Sequence, residues 1–415
     1  MDPFSRRNML SFSAAGAVAT VASVAKAATF GNPDSPAEGA INGNASAVRD
    51  PGPRNPTLAS QFPDPNNPPA TDVGELPQFW ASFNNVHKRI QAGGWARQVT
   101  QKDFAISKAF SGVNMRLGAG GIREMHWHLA SEWAYMTNGR CRITVLDQKG
   151  RAYVQDVEEG DLWFFPAGMP HSLQGIGDDG CEFLIAFDDG AASEFNTLLV
   201  TDWMAHTPPD ILATNFGVPA ASFKDIPLDD LWIFQGKEPG LLSDDQKQVS
   251  GGGEPPFPFT FKLGASTPVK ANKSGSIQVA DSHNFKISDT TAAALITLKP
   301  GAMREMHWHP NADEWQYWIK GEGRMGVFQA GPSVQTQDFK AGDVGYVPRN
   351  QGHWIQNTGS TDLVFLALFR TSEYQEISLS QWLARTPWPL VAQHFNLDPA
   401  VIAKFPSDAP GIVPA

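Results

Sequence analysis

The stretch GGIREMHWHLASEW at residues 120–133 places a histidine on each side of one tryptophan and a glutamate shortly afterwards. Residues 301–315, GAMREMHWHPNADEW, repeat the arrangement, with the His-Trp-His segment 181 positions later. In a β-strand, residues i and i+2 point to the same face, so each segment presents two imidazoles side by side. The sequence therefore predicts the same polar site twice in one chain.

This repeat extends well beyond the histidine segments. Residues 160–171, GDLWFFPAGMPH, return as residues 342–353, GDVGYVPRNQGH, and both segments end in a histidine. The tails also match, since DWMAHTP at residues 202–208 parallels QWLARTP at residues 381–387. A period near 180 residues is too long for a solenoid and indicates two copies of a whole domain.

The hydrophobic runs inside each copy are short, alternating and rich in β-forming residues. Residues 142–146 and 182–187 are examples, and glycines separate such runs at close spacing. Many short strands with frequent turns indicate an antiparallel sandwich or barrel, so we predict an all-β fold. Residues 193–230 and 373–405 have helix-like spacing and predict short helical caps on the two barrels.

The chain is also divided by composition. Its first 27 residues carry Arg6-Arg7 ahead of an alanine-rich run and end in Ala-Lys-Ala, which resembles a twin-arginine export signal. We therefore expect a periplasmic or secreted protein with no stable membrane insertion after signal removal. The predicted divisions are the signal at residues 1–27, a proline-rich arm at 28–76, a first domain at 77–235, a linker at 236–256 and a second domain at 257–415.

Composition narrows the class of protein further. With 415 residues, of which 41% are hydrophobic and 18% charged, the chain has the composition of a globular protein with more than one core. The net charge of −11 argues against a nucleic-acid partner, although a bound cation would still attract an anionic small molecule. The chain has two cysteines, Cys141 and Cys181. In an exported protein they could form a disulfide or remain as two buried thiols.

Each copy carries four residues that suit one metal ion. Three neutral imidazoles and one carboxylate leave two positions open on an octahedral ion, although this set also suits several different transition metals. Six of the ten histidines fall at matching positions in the two copies, which argues against chance placement. The predicted ligands are His126, His128, Glu132 and His171 in the first copy and His307, His309, Glu314 and His353 in the second.

These segments resemble the two signature motifs of the cupin superfamily. Residues 120–139, Gly-x5-His-x-His-x3-Glu-x6-Gly, match the first motif, and residues 160–171, Gly-x5-Pro-x-Gly-x2-His, match the second. Over nearly all of the chain after residue 77, the sequence resembles bicupin oxalate decarboxylase. The resemblance implies two tandem double-stranded β-helix (jelly-roll) barrels, each with a manganese ion, in a trimeric or hexameric homo-oligomer. It also implies that oxalate is split into formate and carbon dioxide, with dioxygen as a required cofactor.

The resemblance also implies roles for residues near the histidines. Arg123 and Arg304 match the family's substrate-binding arginines, and a guanidinium suits a small dianion. Strict strand alternation would place Arg123 opposite His126, so this role requires a bulge, and a surface salt bridge is the alternative. Trp127 and Trp308 match a tryptophan pair proposed to pass electrons between neighbouring sites, and interface packing explains them equally well.

Residues 193–196, Ser-Glu-Phe-Asn, resemble the family's mobile lid. Glu194 then matches the catalytic lid carboxylate that carries a proton, while lid closure excludes water. The alternative is a helix start with Ser193 as its cap. The usual lid reads Ser-Glu-Asn-Ser, so the change at Phe195 and Asn196 leaves oxalate oxidase, which releases hydrogen peroxide, as an alternative activity. The second copy has no matching lid, so we predict catalysis by Glu194 and Arg123; a non-catalytic bicupin binding protein is the remaining alternative.

Overall fold

The computed structural model describes residues 53, 55–331 and 333–414, so the predicted export signal lies outside the described residues. An eleven-stranded sheet folds over on itself to form the first barrel, and a seven-stranded and a six-stranded sheet form the second. The predicted all-β fold of two tandem jelly-roll barrels with short helical caps is confirmed. Within the described ranges, no helix is both long and apolar enough to cross a bilayer.

Eleven strands precede residue 236 and thirteen follow it. The first group is β1 (Trp80–Ser82), β2 (Arg89–Gln91), β3 (Gly94–Val99), β4 (Ser111–Leu117), β5 (Gly121–Trp127), β6 (Glu132–Leu146), β7 (Ala152–Glu158), β8 (Leu162–Phe165), β9 (His171–Phe187), β10 (Leu198–Leu199) and β11 (Ile233–Gln235). The second group is β12 (Thr260–Phe261), β13 (Lys270–Asn272), β14 (Gly275–Ala280), β15 (Ala292–Leu298), β16 (Met303–Trp308), β17 (Glu314–Lys320), β18 (Glu322–Gln329), β19 (Ser333–Lys340), β20 (Asp343–Val347), β21 (Gly352–Asn357), β22 (Leu363–Phe369), β23 (Ile377–Ser378) and β24 (Ile412–Val413).

Short helices lie outside the barrels, in the arm, in the linker and after each barrel. The α-helices are α1 (Pro56–Gln61), α2 (Pro63–Asn66), α3 (Val200–Ala205), α4 (Pro209–Phe216), α5 (Leu242–Val249), α6 (Leu379–Ala384), α7 (Trp388–Phe395) and α8 (Pro399–Ile402). The predicted linker carries α5, whose Asp245 pairs with Arg142 of β6 at 2.7 Å. This ion pair holds the linker against the first barrel.

The long strands β6 and β9 pass through both walls of the first barrel and turn at a glycine corner. Gly139 has a φ of +74°, and a Cβ at this position would lie 2.0 Å from the Gly180 carbonyl oxygen. Only glycine adopts this left-handed conformation with so close a backbone approach at little cost. The β6–β9 ladder shifts register beside this corner. The turn sets Glu132, on one wall, across the barrel from His126 on the other.

Each barrel receives one edge strand from the other half of the chain. Strand β1 pairs with β20 of the second barrel, and β12 pairs with β8 of the first. The proline-rich arm follows the same exchange, since Val73 bridges to Val334 and the Asp64 N–H donates to the Asp338 carboxylate at 2.7 Å. Backbone hydrogen bonds therefore join the two halves in addition to side-chain packing.

Three apolar clusters stabilise the structure, one inside each barrel and one between the barrels. Alternation along β6 divides its residues between two of them. Ala134 and Met136 fill the first barrel, whereas Trp133 and Tyr135 pack in the cluster shared with the second barrel, which includes Trp315. This explains why the strand is apolar on both faces: each face meets a different core.

Cys141 and Cys181 lie on neighbouring β6 and β9, fully buried. Both are free thiols in the structure. Of the two alternatives left open by the sequence, the structure therefore has buried thiols.

Candidate metal centres

The predicted metal ligands come together in both barrels. In each set of four residues, the candidate ligand atoms lie within 4.8 Å of one another, and all eight side chains are buried. In the first barrel, His126 of β5 stands opposite His171 of β9 in the ladder. Glu132 begins β6, and His128 follows directly after β5. Two strands from one wall and one from the other thus bring the four side chains together.

Backbone carbonyls fix the orientation of all six imidazoles. The Nδ1 atom of each ring lies 2.5–3.1 Å from a carbonyl oxygen. A carbonyl oxygen only accepts, so Nδ1 carries the proton and Nε2 keeps its lone pair. Five of these carbonyls belong to a residue two positions away along the chain, and His309 uses the more distant Gln375. All six rings therefore present a metal-binding nitrogen to the centre.

Each glutamate is also oriented by a hydrogen bond to one of its two oxygens. The Trp163 indole donates to Glu132 Oε1 at 2.8 Å, and the Gln316 amide donates to Glu314 Oε1 at 2.8 Å. The second oxygen of each carboxylate then faces the histidines. The two barrels therefore orient the glutamate ligand in the same way but with different side chains.

The spacing of the ligand atoms fits a metal ion. Glu132 Oε2 lies 3.2 Å from His128 Nε2 and 3.4 Å from His171 Nε2. In the second barrel, Glu314 Oε2 lies 3.0 Å from His309 Nε2 and 2.8 Å from the Nε2 atom of His353. Metal–ligand bonds of about 2.1 Å place neighbouring octahedral ligands about 3 Å apart. In the described residues, Glu314 Oε2 and the Nε2 atoms of His171, His309 and His353 are buried without a hydrogen-bond partner. A cation would satisfy these atoms.

The protonation states of the histidine and glutamate side chains in each ligand set also favour binding of a cation. Burial, assisted by the neighbouring arginine, lowers the pKa of His126 and of His307 well below the usual value. Burial by itself would raise the pKa of Glu132 and Glu314, but the surrounding imidazoles outweigh it, and both pKa values fall. Neutral imidazoles beside an ionised carboxylate are the form in which these side chains bind metals.

Arg123 lies inside the first barrel despite the strand alternation that would direct it outwards. The ladder between β5 and β9 shifts register between Arg123 and His126, which is the irregularity that the pocket position requires. The side chain is buried, and its Nη1 donates to the Trp232 carbonyl oxygen at 3.2 Å. This is the single hydrogen bond from the guanidinium to any described residue. Its other donors are therefore left for a ligand.

Arg304 occupies the matching place in the second barrel but has protein partners. Its guanidinium donates to the Gly411 carbonyl oxygen at 2.8 Å and to the Tyr374 hydroxyl at 3.0 Å, and it forms an ion pair with Glu376. Burial lowers the pKa of Arg123, whereas Tyr374 and Glu376 outweigh burial at Arg304 and raise its pKa. The charge of Arg304 is thus compensated within the protein.

Glu194 lies in a short 3₁₀ helix, Glu194–Asn196, with its side chain buried. Ser193 caps this helix by accepting a hydrogen bond from the Phe195 N–H, so the cap and the inward carboxylate occur together. Glu194 Oε1 pairs with Arg89 of β2. Gln98 of β3 accepts hydrogen bonds from the Ser193 hydroxyl and the Glu194 N–H, both at 3.1 Å. The segment is therefore attached to two strands, with its carboxylate buried.

Several residues around the sites were not among the sequence predictions. Glu124 and Glu305 follow the arginines in sequence and are buried, and they accept hydrogen bonds from the backbone N–H groups of Trp232 and Gly411. Their spacing of 181 residues matches that of the histidines, so the repeat itself would have identified them. Arg89, Trp232 and Glu376 carry no such signal, because their partners lie far away along the chain.

Trp127 and Trp308 point away from the ligand sets. Each packs edge to face on a partly exposed tryptophan, Trp127 on Trp203 and Trp308 on Trp382, with ring centres 5.8 Å apart in both pairs. The outer rings remain 66% and 56% exposed. An electron-transfer role for the inner pair stays a prediction.

Comparison with known proteins agrees with this architecture. The cupin family model matches residues 83–222 and 261–403. Oxalate decarboxylase OxdC of Bacillus subtilis (strain 168) is 47% identical over 345 residues, covering 83% of this chain and 89% of the relative. A probable oxalate decarboxylase of Arthroderma benhamiae is 39% identical over 351 residues, covering 83% and 85%.

Solved structures agree as well. A Bacillus subtilis oxalate decarboxylase structure, studied for its Mn(II) centres, superposes with a TM-score of 0.85 at 44% sequence identity, covering 89% of this chain and 96% of that one. Twin barrels, paired ligand sets and similarity along most of the chain lead to one conclusion. This chain belongs to the bicupin oxalate decarboxylase family.

Proposed function

We propose that this protein is a manganese-dependent oxalate decarboxylase that works in its first barrel and requires dioxygen as a cofactor. The observation that carries the proposal is the pocket of the first barrel. There Arg123, a buried arginine with a single hydrogen bond to the described residues, lies three residues before the first histidine of a complete ligand set, and the buried lid carboxylate Glu194 is near enough for its charge to act on that arginine. A cationic pocket of this kind suits a small dianion such as oxalate.

The reaction defines what the side chains must do. Cleavage of the carbon–carbon bond of oxalate releases carbon dioxide and leaves a carbon that takes up one proton to become formate. Manganese, when bound, supplies a positive charge that holds the oxalate oxygens and stabilises charge during the reaction. Arg123 binds and orients the free carboxylate by charge-assisted hydrogen bonds. Glu194 delivers the proton to the carbon, and the folded segment keeps water out while it does so.

Charge compensation supports the choice of the first site over the second. Glu376 and Tyr374 already occupy the Arg304 guanidinium, so a dianion would have to displace a buried ion pair there. The second barrel also has no counterpart of the Glu194 lid in its sequence. The second metal centre then has a structural or electronic role.

Oxalate oxidase is the second candidate, because the lid sequence departs from the family's usual one. This reaction needs no proton on carbon: oxalate, dioxygen and two protons yield two molecules of carbon dioxide and one of hydrogen peroxide. Phe195 and Asn196 replace the last two residues of the usual lid. An oxidase would retain its turnover without the Glu194 carboxylate, which separates the two activities by experiment.

A product assay tests the proposal. The manganese-loaded protein receives isotopically labelled oxalate at mildly acidic pH in air, and formate and hydrogen peroxide are quantified together. We expect formate in nearly equal amount to carbon dioxide, and a 10²- to 10⁴-fold loss of formate production in Glu194→Gln, the range for a general acid. The exposed Glu159 provides the matched control, Glu159→Gln. Peroxide with little formate would establish the oxidase, and neither product would contradict both activities.

Assembly and location are part of the same proposal. We expect a trimer or hexamer, because Trp203 and Trp382 leave large apolar faces exposed on a single chain. Light scattering after size-exclusion chromatography measures the oligomeric state, and a monomer at micromolar concentration would contradict it. We also expect export through the twin-arginine signal, followed by removal of residues 1–27. N-terminal sequencing of the protein recovered outside the cytoplasm checks this, and a protein that still carries residues 1–27 would contradict it.

A further inference from the structure

A side-chain cluster outside the ligand set holds the lid of the first barrel. The Arg89 guanidinium forms an ion pair with Glu194, which lies 105 residues away in the sequence. The same guanidinium lies 5.1 Å from the centre of the Phe195 ring and 4.6 Å from the centre of the Trp232 ring. These two rings meet edge to face, with centres 5.8 Å apart. We call Arg89, Phe195 and Trp232 the arginine clamp.

One side of the clamp is fixed by the barrel. Trp232 has a φ of +50°, in the left-handed region that costs a residue with a side chain free energy. Its N–H donates to Glu124 Oε2 at 2.9 Å, and its carbonyl oxygen accepts from the Glu124 N–H at 2.9 Å. The Trp232 ring also lies 5.2 Å from the Arg123 guanidinium. The indole is therefore a rigid wall between Arg89 and the proposed substrate arginine.

The other side of the clamp belongs to the lid. Glu194 supplies the charge partner of Arg89, and Phe195 supplies a ring against its face. Within the described residues, the Nε and Nη1 atoms of Arg89 are buried without a hydrogen-bond partner. If the lid opened, a largely buried guanidinium would lose its acid and one of its two rings, which is costly. Arg89 therefore favours the closed lid.

Closure also determines where the carboxylate points. Arg89 and Gln98 bind Glu194 Oε1 and the Glu194 N–H, whereas Glu194 Oε2 is buried without a partner among the described residues. The Glu194 carboxylate is also near enough to Arg123 to oppose the lowering of the Arg123 pKa by burial. The free oxygen is thus the one available to hold a proton for a substrate on Arg123.

We propose that Arg89 is a positioning residue that locks the lid closed and fixes Glu194, and that Phe195 strengthens the lock. In this proposal the departure from the usual Ser-Glu-Asn-Ser lid stabilises closure, because phenylalanine stacks on the guanidinium and asparagine cannot. A tightly closed lid favours proton delivery, and therefore formate over hydrogen peroxide. The expected product ratio rests on the proposed function. The closure of the lid by Arg89 does not depend on oxalate.

Hydrogen exchange of the lid amides without oxalate tests the lock directly. In Arg89→Gln, loaded with manganese, we expect the amides of Glu194 and its neighbours to exchange about 10- to 100-fold faster, the range for loss of a hydrogen bond to a charged group. Phe195→Asn should show a smaller increase, and Arg89→Lys should retain part of the protection. The control is Arg116→Gln, which breaks the Arg116–Asp179 ion pair elsewhere on the same barrel. The metal content should be unchanged in all four variants.

The product ratio then links the lock to the reaction. We expect the ratio of formate to hydrogen peroxide to fall at least about tenfold in Arg89→Gln, to fall less in Phe195→Asn, and to stay unchanged in Arg116→Gln. Lid exchange within twofold of the parent in Arg89→Gln would overturn the proposal, whatever the product ratio. Faster lid exchange in a parent protein that makes neither product would support the lock and contradict only the proposed function. Faster exchange with an unchanged product ratio would refute the effect on the reaction.

Discussion

The buried ion pair between Arg304 and Glu376 distinguishes the second barrel from the first, and its removal has a calculable effect. Burial by itself raises the pKa of Glu376, but Arg304, the Tyr374 hydroxyl and Lys270 outweigh burial and lower the pKa to about 2. A carboxyl whose pKa drops from 4.5 to about 2 on folding contributes about 3 kcal/mol of unfolding free energy at neutral pH. Glu376→Gln keeps the size and the hydrogen-bonding groups but removes the charge, so it should lose most of this amount.

The sign of the effect follows from the direction of the pKa shift. Because the pKa is lowered in the folded state, the stabilisation is fully present above about pH 4.5 and disappears as the pH falls towards 2. The difference between the parent and Glu376→Gln should therefore be constant from pH 5 to 7 and shrink in more acidic solution. Urea unfolding of the metal-free proteins, followed by tryptophan fluorescence in a chelator, measures this difference.

A matched control lies in the same segment. Glu373 is half-exposed, and its nearest basic partner, His283, lies 4.0 Å away, so Glu373→Gln should cost less than about 0.5 kcal/mol. If Glu376→Gln were equally mild at pH 7, Glu376 would not compensate the Arg304 charge, and the second site would be open to a dianion. If Glu376 does compensate the Arg304 charge, calorimetry should detect additional oxalate binding in Glu376→Gln, because the mutation frees the guanidinium of Arg304.

Three further predictions concern the metal centres, the arm and the contact between the barrels. His171→Ala and His353→Ala should each reduce bound metal from two ions per chain to one by elemental analysis, and only His171→Ala should abolish formate production; equal loss in both would contradict a single catalytic site. Burial and a neighbouring carboxylate raise the pKa of Asp64 to about 6, so arm attachment should weaken as the pH rises from about 4 to 6. Hydrogen exchange of the arm amides, with each rate divided by the intrinsic exchange rate at that pH, measures this weakening. In Asp64→Asn, the pH dependence of arm attachment should disappear. Gly112→Ala would place a Cβ 2.7 Å from the Trp315 ring and should cost about 1–3 kcal/mol in unfolding experiments; an unchanged stability would refute tight packing there.

The fold class and the composition of the two ligand sets can be predicted from the amino-acid sequence alone. Period-two alternation places His126 and His128 on one strand face, and the recurrence of the pattern 181 residues later identifies a second domain of the same kind. These features are local or repeated, so they are visible without knowledge of long-range contacts. The sequence does not choose between a disulfide and two buried thiols for Cys141 and Cys181, because pairing depends on the distance between their strands.

The differences between the two sites depend on long-range contacts that the sequence pattern does not report. Arg123 enters its pocket through a register shift in the β5–β9 ladder, which no sequence period reports. Arg304 forms an ion pair with Glu376, 72 residues away in sequence, and Arg89 forms one with Glu194, 105 residues away. The exchange of β1 and β12 between the barrels is equally non-local. Such contacts follow from the path of the whole chain, because two side chains that are distant in sequence meet only where folding brings their strands together.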